Sequence, residues 1–286
     1  MKWKGRQQSS NIEDRRSGGG GGGGKTIGGG IGILVMMAIV WMLGGNPLEL
    51  LGLLGGGGGG GQTSANYQPS AQENELAQFV SVVLKDTEDV WGQIFANGGQ
   101  AYREPNLVLY NGSVQSACGY SSAATGPFYC PGDQKVYIDL SFCEELQTKF
   151  KAPGDFAMAY VVAHEVGHHI QTLLGTSQKV NQMRGRVPQE EFNQYLVKLE
   201  LQADFYAGVW AHHAQKMKNV LEEGDVEEAL NAAAAVGDDR IQKQAQGYVV
   251  PESFTHGTSE QRQRWFYRGF QTGDINQGNT FSADRL

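Results

Sequence analysis

The spacing of apolar positions divides this chain into a helical lead-in, a strand region and a long helical region. Ser70 with Glu73 forms a capping box, after which Leu76, Phe79, Val80, Val83 and Leu84 recur at helical spacing. A second helix start is read at Thr87, carrying Val90, Trp91 and Ile94. NLVLY at 106–110, Asn111-Gly112 and SVQSAC then read as a hairpin, and FYC at 128–130, Pro131-Gly132-Asp133 and KVYIDL at 135–140 as a second one. From Pro153 onward the pattern is helical: one helix runs to Leu174 before Gly175, and another is opened by Pro188 with Lys216 and Lys218 near its end. Asp225 with Glu228 caps an alanine-rich helix, and Thr258 with Gln261 caps a last helix carrying Trp265, Phe266 and Phe270. The prediction is an α+β domain over 70–286, a small antiparallel sheet followed by a mainly helical bulk.

The N-terminal part follows different rules. Glycine tracts at 18–24 and 55–61 supply no side chains for a core, and between them residues 26–44 are free of charge and about the length of a bilayer span. Lys2, Lys4, Arg6, Arg15, Arg16 and Lys25 outnumber Glu13 and Asp14 ahead of that stretch. The positive-inside rule then gives a cytoplasmic tail over 1–25, a transmembrane helix over 26–44, a glycine-rich linker over 45–69 and a domain beyond the membrane. A cleaved signal peptide is the competing reading, disfavoured because no small-x-small site closes the apolar stretch. In a bacterial cell the expected location is the inner membrane, with the domain in the periplasm or outside the cell.

The net charge of −7, concentrated after the second glycine tract, argues against a nucleic-acid or anionic-lipid surface. An oxidising compartment would let two of the three cysteines pair. Turn residues between Cys118 and Cys130 favour that pair, leaving Cys143; three unpaired buried thiols are the alternative.

VVAHEVGHHIQ, residues 161–171, concentrates half of the six histidines. His164 and His168 are four residues apart, so both imidazoles leave one helix face and can hold one ion. Glu165 lies about a quarter-turn round, placed as a general base for a water on that ion. Valines and Ile170 mark the helix as buried, where such groups require partners. Small Gly167 would permit close approach by a strand or a substrate backbone. Catalytic zinc takes three protein ligands. The HExxHxxGxxH extension is absent, since Gln171 and Leu174 stand at its positions. In KLELQADFYAGVWAHH, Glu200 and Asp204 again share a face: Glu200 is the candidate third ligand, and Asp204 the acceptor for the free N–H of a ligand histidine. His212 and His213 are rival ligands read as surface or cap residues, and His169 points away from His168. His256, before the last helix, is a candidate donor to a developing oxyanion.

The basic N-terminus, apolar stretch, glycine-rich spacer, GPFYCPGDQKVYIDL, HEVGHHIQ and LELQADFYAGVWA together resemble the neutral zinc metallopeptidases of bacteria. HExxH followed by ExxxD is also similar to the wider glutamate-zincin peptidases. The resemblance implies a zincin-like fold with zinc on His164, His168 and Glu200, Glu165 as base and Asp204 behind a ligand. Those peptidases often carry a His-Pro segment and an arginine-bearing helix. Here His256-Gly257 and Arg262 with Arg264 stand in their place, which leaves the role of His256 open. KVYIDL is expected to be an edge against which a peptide adds as an extra strand. These readings converge on a membrane-anchored zinc endopeptidase acting on protein or peptide substrates; the rival is a zinc-stabilised scaffold that recruits partners without cleaving them.

Overall fold

The computed structural model describes residues 1–17 and 68–286. Strand β1 (Ile12–Asp14) precedes helix α1 (Ala71–Asn97), whose Ser70–Glu73 capping box is formed in both directions at 3.1 and 2.7 Å. The helix runs straight through Thr87, where a second start was expected. Thr87 is buried and returns its hydroxyl to the Leu84 carbonyl at 2.7 Å, satisfying itself inside the helix instead of capping a new one.

Strands β2 (Asn106–Tyr110), β3 (Ser113–Ser116), β4 (Gly119–Ser122), β5 (Phe128–Cys130) and β6 (Lys135–Asp139) follow. The expected small antiparallel sheet is corrected to a mixed one of order β1-β2-β6-β5, with β1, β2 and β6 parallel and β5 antiparallel to β6. The reason lies in NLVLY: Leu107 and Leu109 enter the main core while Val108 and Tyr110 enter a second, smaller one, so both faces are covered. At Asn111-Gly112 the chain leaves this sheet, and β3 pairs with β4 as a separate hairpin. Cys118 and Cys130 are bonded, with Cα atoms 5.8 Å apart, joining that hairpin to β5; Cys143 is buried and unbonded.

Helices α2 (Ser141–Thr148), α3 (Asp155–Leu173), α4 (Thr176–Asn181), α5 (Gln189–Lys218), α6 (Asp225–Ala235), α7 (Asp238–Gln246) and α8 (Ser259–Thr272) complete the order. Glu228 of α6 accepts the Phe156 N–H at 3.0 Å, serving as the cap that Gly154 lacks at the start of α3. α3 and α5 cross at Gly167, where a Cβ would sit 2.9 Å from the Ala203 carbonyl oxygen. The close neighbour anticipated for Gly167 is therefore another helix, not a strand or substrate.

Residues 1–17 belong to the same compact unit as 68–286. β1 pairs with β2 over Ile12↔Leu107 to Asp14↔Leu109. The Met1 ammonium lies 2.6 Å from Asp155, Arg6 2.5 Å from Asp86, and buried Arg16 donates to the Glu73 carbonyl at 3.0 Å. This overturns the N-terminal transmembrane helix in the predicted fold and the single-pass inner-membrane location. One crossing between residues 17 and 68 would leave β1 and β2 on opposite sides of the bilayer, yet they share a sheet. No helix among the described residues is long and apolar enough to cross a membrane, and the expected span at 26–44 lies outside those residues, as does the linker up to residue 67.

Candidate metal centre

α3 and α5 bring His164, His168 and Glu200 together, with one ligand atom from each within 4.8 Å of the others. His164 Nε2 lies 3.2 Å from one Glu200 oxygen and His168 Nε2 3.4 Å from the other. Each separation is near the ligand-to-ligand distance of about 3.3 Å around an ion with bonds of about 2.0 Å, although the two end on different Glu200 oxygens.

The hydrogen bonds behind the histidines decide what the three atoms can hold. His164 Nδ1 faces Asp204 Oδ1 at 2.8 Å, and a carboxylate accepts, so the ring proton sits on Nδ1. His168 Nδ1 faces the Gln171 side-chain oxygen at 2.9 Å; Gln171 donates its NH2 to the Leu199 carbonyl at 2.6 Å, which fixes the amide orientation. Both Nε2 atoms therefore face the Glu200 carboxylate, each with a lone pair to offer a metal once its ring has given up its second proton. Lone pairs facing one another in a buried site repel unless a cation lies between them. The donor set, two imidazoles and one carboxylate, is a zinc set.

Electrostatics express the same demand. Burial alone would lower the His164 pKa, but the Asp204 and Glu200 carboxylates outweigh it and push the value up to about 10 in the metal-free chain. His168 is raised in the same sense by Glu200 against its burial. Glu200 is held well below the usual carboxylate range by the two histidines, although burial opposes this.

Asp204 is fully buried and has more than one partner. Arg262 of α8 binds both its oxygens at 2.8 and 2.9 Å, and the Tyr160 hydroxyl donates to Oδ1 at 2.5 Å. Burial would raise the Asp204 pKa, but the guanidinium keeps it low. Arg262 thus neutralises the residue that orients His164.

A cleft of about 600 Å³ opens over the centre, lined by Glu165, His256 and β5 residues Phe128 and Tyr129 as well as the candidate ligands. His256 is half-exposed and holds Nδ1 3.1 Å from Asp238. The other Asp238 oxygen accepts the backbone N–H groups of Thr255, His256 and Gly257 at 2.7, 2.6 and 3.1 Å, so one carboxylate shapes the whole loop. Burial would lower the His256 pKa, but Asp238 and Glu200 raise it. His169 is buried between Arg103 and Tyr129, and burial drives its pKa down to about 4. His212 and His213 bond the Phe270 and Gly273 carbonyls at 2.8 Å, away from the centre. KVYIDL, expected at an edge, is β6 and is paired on both sides; the open edge beside α3 is β5.

Gln171 entered the sequence pattern only as a residue that excludes a longer motif, and Asp238 was not singled out. Gln171 follows His168 by three residues, a helical spacing that could have marked it. Asp238 carried no such signal, because its partners lie in a loop 17 to 19 residues on.

The chain matches the family described as "Putative neutral zinc metallopeptidase" over residues 1–281. It is 50% identical over 286 residues to a protein of Escherichia coli (strain K12) named "Uncharacterized protein YpfJ", covering 98% of this chain and 99% of that one. It is 43% identical over 228 residues to "Uncharacterized protein Rv2575" of Mycobacterium tuberculosis (strain ATCC 25618 / H37Rv), covering 76% and 74%. No solved structure matches it. With a family match along nearly its whole length and a donor set suited to the metal that the family name specifies, the chain belongs to the neutral zinc metallopeptidases.

Proposed function

We propose that this protein is a zinc-dependent endopeptidase that cleaves extended segments of other proteins. The observation that carries the reading is the convergence of the His164 and His168 Nε2 atoms and the Glu200 carboxylate beneath a cleft that also contains Glu165. His164, His168 and Glu200 would hold zinc, which when bound supplies Lewis acidity to the scissile carbonyl and acidifies a water. Glu165 takes the proton from the attacking water and delivers it to the leaving amine. His256, held at Nδ1 by Asp238 and lining the cleft, donates from its other nitrogen to the carbonyl oxygen as charge builds there. A peptide lies along the open edge of β5, where unpaired strand groups are available for main-chain hydrogen bonds.

Metal analysis combined with cleavage of casein tests this. The zinc-loaded protein should hydrolyse casein, lose activity with a chelator and regain it with zinc. Glu165→Gln should keep the metal and lose hydrolysis. Retained turnover in that variant sinks the mechanism, and zinc binding without turnover in the parent supports the non-catalytic scaffold instead.

A further inference from the structure

Tyr129 is the middle residue of β5 and lines the cleft with His164, Glu165, His168 and Glu200. Its hydroxyl is 3.1 Å from His169 Nδ1, and His169 Nε2 is 2.6 Å from the Arg103 carbonyl oxygen. A carbonyl only accepts, so the ring proton sits on Nε2 and Nδ1 carries a lone pair. The Tyr129 hydroxyl must then be the donor. His169 is fully buried, with Tyr102 and Tyr129 packed edge-on at 6.0 and 5.5 Å, which prevents the ring from turning over. Thr172 lies beside Tyr129, but its own proton goes to the His168 carbonyl at 3.1 Å.

A phenol with its proton engaged in this way offers only oxygen lone pairs to whatever enters the cleft. It can receive an N–H; it cannot donate to a carbonyl or an oxyanion. An extended peptide on the β5 edge directs only some of its N–H groups at the strand, and the others require acceptors once water is excluded. We propose that Tyr129 is a substrate-binding residue that accepts a hydrogen bond from a peptide N–H, and that His169 is the positioning residue that fixes its hydroxyl in that role. The proposal rests on the peptidase reading only for the chemical class of its ligand.

Binding is measured in the zinc-loaded Glu165→Gln protein, with a fluorescein-labelled unstructured decapeptide of casein followed by anisotropy. Adding Tyr129→Phe should raise Kd about five- to tenfold, the usual worth of one hydrogen bond at a protected site. His169→Ala should weaken binding to a similar extent with zinc content unchanged, and His169→Gln, which keeps one donor and one acceptor, should restore part of the loss. If His169 acts through Tyr129, the doubly substituted protein binds no worse than Tyr129→Phe alone. Decapeptides N-methylated one amide at a time should include one that loses affinity while Tyr129 is intact and shows no such loss once Tyr129→Phe is introduced. An unchanged Kd in Tyr129→Phe, multiplying losses in the double variant, or no binding by the parent each overturn the proposal. Peptide binding without hydrolysis by the protein that retains Glu165 defeats the endopeptidase reading alone.

Discussion

Asp204 Oδ1 lies 2.8 Å from His164 Nδ1, and that contact decides which nitrogen of the histidine faces Glu200. Because Arg262 grips the same carboxylate, orientation of a candidate metal ligand and neutralisation of a buried charge are carried by one residue.

Asp204→Asn should therefore do two separable things. Zinc affinity should fall about 10- to 100-fold as the hold on the His164 tautomer weakens. The folded state should lose about 3 kcal/mol or more because Arg262 keeps its buried charge without a counter-ion. Competition with a chromogenic chelator and thermal unfolding read the two effects, and unchanged zinc affinity would contradict the role given to Asp204.

Gly167→Ala adds one carbon where none fits, 2.9 Å from the Ala203 carbonyl oxygen. Forcing the helices apart should cost about 1–3 kcal/mol. It should also lower zinc content, because the same crossing sets the distance from His164 and His168 to Glu200. Full zinc occupancy with a normal unfolding midpoint would show that the crossing tolerates the shift.

The metal-free protein should respond to pH in a definite sense. His164 is raised from 6.5 to about 10, so the stabilisation from its protonated ring is complete below about pH 6.5 and is lost as pH climbs toward 10. Apo-protein stability should decline across that interval, while zinc affinity rises by up to about tenfold per pH unit as the competing proton leaves. Denaturant titrations and zinc binding between pH 6 and 10 check both, and a flat response in both would remove the electrostatic account.

Deleting residues 1–17 should weaken the domain, because it strips β1 from β2 and takes Arg6 from Asp86, which is 1% exposed. Lys218 stays 2.8 Å from the same Asp86 oxygen, so the charge keeps a partner and the loss comes mainly from the stripped strand and the Met1 and Arg16 contacts. An unfolding midpoint equal to that of the intact chain would mean that the N-terminal segment contributes nothing.

The candidate ligands were legible because helical spacing is local: His164 with His168, and Glu200 with Asp204, each disclose a shared face within five residues. The meeting of those two faces could only be proposed from chemistry. The sheet was harder. NLVLY lacks alternation, and its meaning, a strand covered on both faces and paired in parallel, depends on strands remote in the chain. Leu107 pairs with Ile12 of β1, 95 positions before it, and with Val136 of β6, 29 positions after it. Residues 12–14 carry two acids and one isoleucine, too little pattern to announce a strand. Of the charges that suggested a membrane rule, Arg6 finds Asp86 of α1, while Arg15 and Arg16 pair with Glu13 and Asp14 in their own segment.

The placement of residues 1–17 beside 68–286 also bears on the order of events at the ribosome. β1 has no strand partner until Leu107 has emerged, so it must wait while the strand that will receive it is still being made. A chaperone that binds nascent basic segments would meet Lys2 to Arg16 during that interval. A cut between residues 17 and 68 in the finished protein would leave two pieces joined by a sheet and ion pairs instead of releasing a tail.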